Sequence, residues 1–173
     1  MTETEVATPP APFGRALFFA VVLIVMDAFV LNQGVLAMLV GIWMLLVSLP
    51  RTFLAKKFAA VRGPRLRNIA TYLAAACAVF VLNGLNNSIA QDRADVLVSA
   101  VKQFHSKHQR YPRSLDELVP EFLHAVPLAK HTLSYNRFVY MTSDDDTVLF
   151  YVNVPPFGRP TYSFARNEWG YLD

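Results

Sequence analysis

The sequence predicts an α+β membrane protein: three transmembrane helices, the third continuing into an amphipathic helix packed on a C-terminal antiparallel sheet of three to four strands. Three observations lead there. First, only 17% of the residues are Asp, Glu, Lys or Arg, where a soluble domain carries about 25%. The shortage is local: residues 16–49 hold one formal charge, Asp27, and residues 68–91 hold none, whereas the chain from Asp92 onward is as charged as a soluble domain. Second, six positive side chains (Arg51, Lys56, Lys57, Arg62, Arg65 and Arg67) stand between two apolar stretches with no acid among them. Third, the periodicity after residue 91 is first helical and then that of strands.

The segments follow in order. Residues 1–14 are rich in Pro, Thr and Ala and are expected to be a disordered cytoplasmic N-terminus. Glu3 and Glu5 stand where a secretory signal would carry basic residues. Residues 15–49 are expected to form a transmembrane hairpin. As a single helix, 16–49 would run about 51 Å, against a hydrocarbon core of about 30 Å. Asn32-Gln33-Gly34 supplies the break, with one helix over 13–31 and a short return helix from Val35 to about Leu49, anchored by Trp43 and Arg51 and ended by Pro50. Asp27, one turn before the tip, is expected at the interface, where it reaches water or caps the turn.

Residues 50–67 form the basic cytoplasmic loop, expected to meet anionic lipid, with Phe53, Leu54, Phe58 and Val61 at helical spacing and Gly63-Pro64 as a break. The net charge of +3 could suggest nucleic acid, but these six positives account for it, so no nucleic-acid partner is expected. Residues 68–90 make the third transmembrane helix. Cys77, the single cysteine, is expected to fill space between helices.

Residues 91–173 are expected to form the aqueous domain, outside the cytoplasm after three crossings. No proline or glycine interrupts 86–109, and Ile89, Arg93, Val96/Leu97, Ala100/Val101 and Phe104 recur at helical spacing. Ser114-Leu115-Asp116-Glu117 is a capping-box pattern opening a short helix to Val119. Strands are expected over 132–142, 147–154, 161–165 and 169–172, with 143–146 and 166–168 as turns and 155–160 as a loop.

A long helix, half membrane and half amphipathic, followed by Tyr111-Pro112, Ser114-Leu115, Leu118 and Pro120 and then Tyr-rich strands ending in Trp169-Gly170-Tyr171, resembles a type IV pilin or type II secretion pseudopilin over about residues 69–173. The leader-peptidase site of those families, a Gly before Phe-Thr-Leu-x-Glu, is missing ahead of the third helix, where the chain reads Gly63-Pro64-Arg65-Leu66-Arg67. The resemblance implies a pilin-like periplasmic domain held in a bacterial inner membrane and a protein partner there, without polymerisation.

No catalytic or cofactor motif stands out, so the expected role is non-enzymatic assembly or interaction, with no cofactor and no metal. The alternative is a membrane sensor or small-ligand binder using the aromatic face. Tyr135, Tyr140, Tyr151, Tyr162 and Trp169 are the candidate partner surface. His105 and His108, at i and i+3, with His124 and His131, are read as packing or solvated histidines. Asp144-Asp145-Asp146 lacks the spacing of a calcium loop and is read as a solvated turn.

Overall fold

The structure, a computed structural model, describes residues 12–143, 146–154 and 158–172. The chain divides into two compact units, Met1–Asn83 and Gly84–Asp173. Three helical stretches, Phe13–Leu31, Val35–Leu54 and Lys56–His108, are long and apolar enough to cross a membrane.

The Met1–Asn83 unit turns the usual rule of globular burial inside out. Its inner seams are made of small residues: Ala20 and Leu23 with Ala75, and Ala28 and Ala37 with Ala76 and Val79. Large apolar side chains face outward, Phe18 at 63% exposure and Leu46 at 72% among them. Water would penalise such a surface, whereas in lipid small residues let backbones approach closely and the large side chains meet acyl chains. Cys77 is on the exposed side, not between helices, which corrects the expectation from sequence.

The hairpin turn lies at the expected residues. Asn32 (φ 54°) and Gly34 (φ 75°) adopt left-handed conformations, and a Cβ on Gly34 would come within 3.1 Å of the Phe80 ring. The first helix begins at Phe13, inside the segment expected to be disordered; residues 1–11 lie outside the described residues.

Two boundaries differ from expectation, for one reason each. The return helix does not stop at Pro50 but continues to Leu54. Proline lacks an N–H and crowds the carbonyl four residues back. Here the turn just before it, Met44–Ser48, is a widened π-helical segment, which makes room for the ring. Ala55, in extended conformation, ends the helix instead. Likewise Gly63-Pro64 does not break the chain. Both sit in the first turn of a helix spanning Arg62–His108, where a missing N–H costs nothing because first-turn donors have no helical partner. The basic segment is therefore largely helical, with a 3₁₀ stretch at Lys56–Val61.

The Gly84–Asp173 unit is α+β. The strands β1 (Val139–Thr142), β2 (Thr147–Phe150), β3 (Arg159–Ser163) and β4 (Glu168–Leu172) form a four-stranded antiparallel meander in chain order. The C-terminal part of the long helix covers one face. Leu97, Val98, Ala100, Val101 and Phe104 pack with Leu149, Tyr162 and Phe164, and Leu115 and Leu118 close the core from the short 3₁₀ turn Leu115–Leu118. The buried stripe runs through Ala90, Ala94, Leu97, Ala100, Val101 and Phe104; it meets the expected Leu97, Ala100, Val101 and Phe104 and lies one residue on from the expected Ile89 and Arg93. Val96 is exposed.

Residues 132–138 are not strand. The chain folds on itself there, with the Ala129 N–H donating to the Asn136 carbonyl at 2.8 Å and Tyr135 at φ 56°. The β3 strand starts earlier than expected, at Arg159-Pro160, while residues 155–157 of the expected loop lie outside the described residues. The expected capping box is not formed: Ser114 makes no side-chain cap, and Glu117 reaches past it to accept from the Arg113 N–H at 3.0 Å. Glu117 also pairs with Arg110 at 2.9 Å. The Arg110 guanidinium, then the Arg113 N–H, hold its carboxyl below the usual range.

Candidate functional site

Strand alternation decides which expected residues can meet a partner. On β1, Tyr140 turns toward the helix side, where its hydroxyl donates to the Pro112 carbonyl at 3.0 Å. Val139 and Met141 point the other way. Tyr151 and Tyr162, 3% and 5% exposed, belong to the core. The Tyr151 hydroxyl donates to Gln91 Oε1 at 2.9 Å, and burial pushes that phenol up to about 12. Burial also raises Tyr140 above its ordinary value. Trp169 packs edge-on to Tyr162, centroids 5.3 Å apart, and its indole N–H donates to Asp95 Oδ1 at 3.2 Å. Of the five aromatic residues expected at a partner surface, Tyr135 alone is exposed.

The sheet face opposite the helix is the surface left over. Cross-strand pairs place Met141 beside Val148 and Val139 beside Phe150, and Met141 is 57% exposed. Leu172, on the same face of β4 by alternation, is exposed as well. β1 and β4 are both edge strands, with backbone groups open to pairing. Sequence reasoning missed this face because it weighed aromatic rings above aliphatic alternation.

A second feature is an open hollow of about 520 Å³ lined by Gln91, Tyr151, Asn153, Trp169 and Tyr171, among others. Asn153 donates to the Tyr171 hydroxyl at 3.0 Å, while its own buried Oδ1 has no partner among the described residues.

Lys130, which no sequence pattern marked, is wholly buried. Its Nζ donates to the Asn153 carbonyl at 2.6 Å, and burial pushes the amine down to about 8 from 10.5. Below pH 8 the folded and unfolded chains both hold the proton, and folding bears the cost of burying the charge. Between pH 8 and 10 the folded amine is neutral while the unfolded one stays protonated, so the unfolded state binds more protons and stability rises with pH. Above pH 10 the raised Tyr151 works in the opposite direction, since only the folded phenol keeps its proton. Melting followed by Trp169 fluorescence in a Trp43→Phe background is expected to show a gain of roughly 2 kcal/mol from pH 8 to 10. Lys130→Met is expected to flatten that rise; an unchanged slope in the variant would assign it to other groups.

Elsewhere the candidates do structural work. Asp27 is fully buried and accepts from the backbone N–H groups of Gly34 at 2.8 Å and Ala37 at 2.7 Å. It caps the second helix across the turn. Asp146 is more than a solvated turn residue. Its Oδ2 accepts from the Ser163 hydroxyl at 2.5 Å and its Oδ1 from the Ala165 N–H at 3.0 Å, tying the β1–β2 turn to the end of β3. The Ser163 bond, foremost, holds its carboxyl below the usual range. Asp144 and Asp145 lie outside the described residues.

His105 stacks on Tyr111, His108 lies 4.0 Å from Glu121, His124 is exposed, and His131 Nε2 is 2.9 Å from Arg93. Among the described residues no cluster of three His, Cys, Asp or Glu could hold a metal ion.

The basic residues are ordered by aromatic faces. Arg65 lies 3.6 Å from the Phe58 ring centroid, Arg67 4.5 Å from that of Phe13, Arg62 5.3 Å from that of Phe53, and Lys57 5.5 Å from that of Phe58. Arg51 and Lys56 are exposed. Compared with family models, curated proteins and solved structures, the chain matches none.

Proposed function

We propose that this chain is a non-enzymatic assembly protein anchored in a bacterial inner membrane. It presents a pilin-like domain to the periplasm and serves as an accessory of a pilus or secretion system. The observation that carries the reading is the Gly84–Asp173 unit: a helix laid on one face of an antiparallel meander bounded by two edge strands, whose other face is apolar along β1 and β2 (Val139, Met141, Val148 and Phe150), with Val139 and Met141 exposed. Apolar patches rimmed by polar residues mark protein interaction sites, and an open edge admits a partner strand. The six positive residues around 51–67 support a cytoplasmic placement of that segment, which puts the sheet domain across the membrane.

The test is a photo-crosslinking amino acid at Met141 in living cells, with Lys102, on the helix, as the comparison position. A discrete adduct with a pilus or secretion component, formed from position 141 and not from 102, is the expected result. Equal labelling from both positions, or none, would count against the reading.

The hollow beside Trp169 favours a second reading, a sensor that holds a small ligand. The polar ends of Tyr151 and Trp169 are already bound to Gln91 and Asp95, which leaves a ligand ring faces and the Asn153 amide oxygen. A change in Trp169 fluorescence on screening small polar aromatic compounds would move weight to it.

A further inference from the structure

Within the Met1–Asn83 unit, a cavity of about 150 Å³ lies between the end of the second apolar helix and the first turns of the long helix. Ser48, Thr52, Arg65, Asn68 and Tyr72 line it, and among the described residues no carboxyl group does. Met44 and Ile69 supply apolar wall. The Thr52 hydroxyl is committed to the Ser48 carbonyl at 2.7 Å. Arg65 is held flat by the Phe58 ring at 3.6 Å, a contact that fixes a guanidinium while leaving its in-plane N–H groups directed outward. A lining with a fixed guanidinium, hydroxyls and an amide, and no acid, suits an anion with several acceptor oxygens.

Size and position narrow the choice. The volume is about five times the roughly 30 Å³ share of a water in the liquid, enough for a phosphate group and too small for a whole lipid. The cavity sits where apolar helices give way to the basic cluster, the depth at which headgroups lie.

We propose that this cavity seats the phosphodiester of an anionic phospholipid, with Arg65, Ser48 and Tyr72 as the polar contacts and Met44 and Ile69 beside the glycerol. This differs from diffuse attraction of the basic residues to a charged surface, because one lipid is held at one place. It rests on the membrane reading of the helices and not on the identity of any periplasmic partner.

Native mass spectrometry of the full chain, released from detergent after adding phosphatidylglycerol or phosphatidylcholine with the same acyl chains, tests it. The expected result is one phosphatidylglycerol retained in preference to phosphatidylcholine. Retention should fall about tenfold or more in Arg65→Gln, fall less in Tyr72→Phe and Ser48→Ala, and stay unchanged in Arg51→Gln, which lies outside the cavity. Should Arg65→Gln not fold, Tyr72→Phe and Ser48→Ala decide. Equal retention of the two lipids, equal loss in Arg51→Gln, or full retention in the cavity variants would overturn the proposal. Displacement of the lipid by millimolar inorganic phosphate would overturn the lipid as the source and leave a free-anion site.

Discussion

Phe104→Ala is expected to destabilise the Gly84–Asp173 unit by about 3–5 kcal/mol, a large part of what a small domain has. The side chain is 4% exposed and sits where three elements meet. It packs on Phe122 with centroids 5.7 Å apart, stacks near His108, and shares the core with Leu118, Leu149 and Phe164. Truncation removes the ring and leaves a void that the rigid helix and the hydrogen-bonded sheet cannot collapse to fill. The measurement is thermal unfolding of the full chain in detergent, read from Trp169 in the Trp43→Phe background. A melting temperature within a degree of the parent would mean that this helix does not hold the sheet.

Asp27→Ala is expected to cost about 3 kcal/mol in the Met1–Asn83 unit. Its two carboxyl oxygens accept from two backbone donors beyond the turn, and each buried donor left without a partner costs about 1–3 kcal/mol. Inside lipid no water is at hand to replace the lost acceptor. Asp27→Asn keeps one acceptor oxygen, so about half the loss is expected. Unfolding with increasing sodium dodecyl sulfate fraction, followed by helicity, gives the ranking parent, Asn, Ala. If Ala unfolds at the same detergent fraction as the parent, the cap is decorative and the turn is held by Gly34 and its neighbours alone.

Much of this fold was legible because it is written in coarse signals. Charge-free runs gave the apolar helices, Asn32-Gln33-Gly34 gave the turn, and unbroken helical spacing after residue 86 gave the cover for the sheet. The misses have local causes. Passage through Pro50 depends on the widened turn at Met44–Ser48, a backbone adjustment without a sequence signature. The stripe was read correctly at Leu97, Ala100, Val101 and Phe104, and one residue out of phase only at its start, because Ala90 and Ala94 sit where the sheet side approaches closely, as their packing near Tyr151 shows. A hydropathy pattern undervalues alanine there and overvalues Ile89 and Val96.

Residues 132–138 have strand composition but spend their backbone bonds on a local turn. The candidate surface was legible only in part. Tyrosine reads as a sticky residue, but alternation and the hydroxyl partners Gln91 and Pro112 draw Tyr151 and Tyr140 inward, leaving the aliphatic Val139 and Met141 outside. Lys130 gave no signal at all, since a lysine flanked by Ala and His looks like any surface lysine.

The meander order has a consequence for how the chain is made. Each strand pairs with the next one to be synthesised, so no strand waits for a distant partner, and the loops closed are short ones of low entropic cost. The helix that covers the sheet is translated first. At about 5–20 residues per second, on the order of ten seconds separate the emergence of Phe104 from that of Leu172. Until Leu149, Tyr162 and Phe164 follow within that interval, the helix carries an apolar stripe that the sheet does not yet cover. Loss of the last strand would leave that cover in place but take Trp169 away from Tyr162.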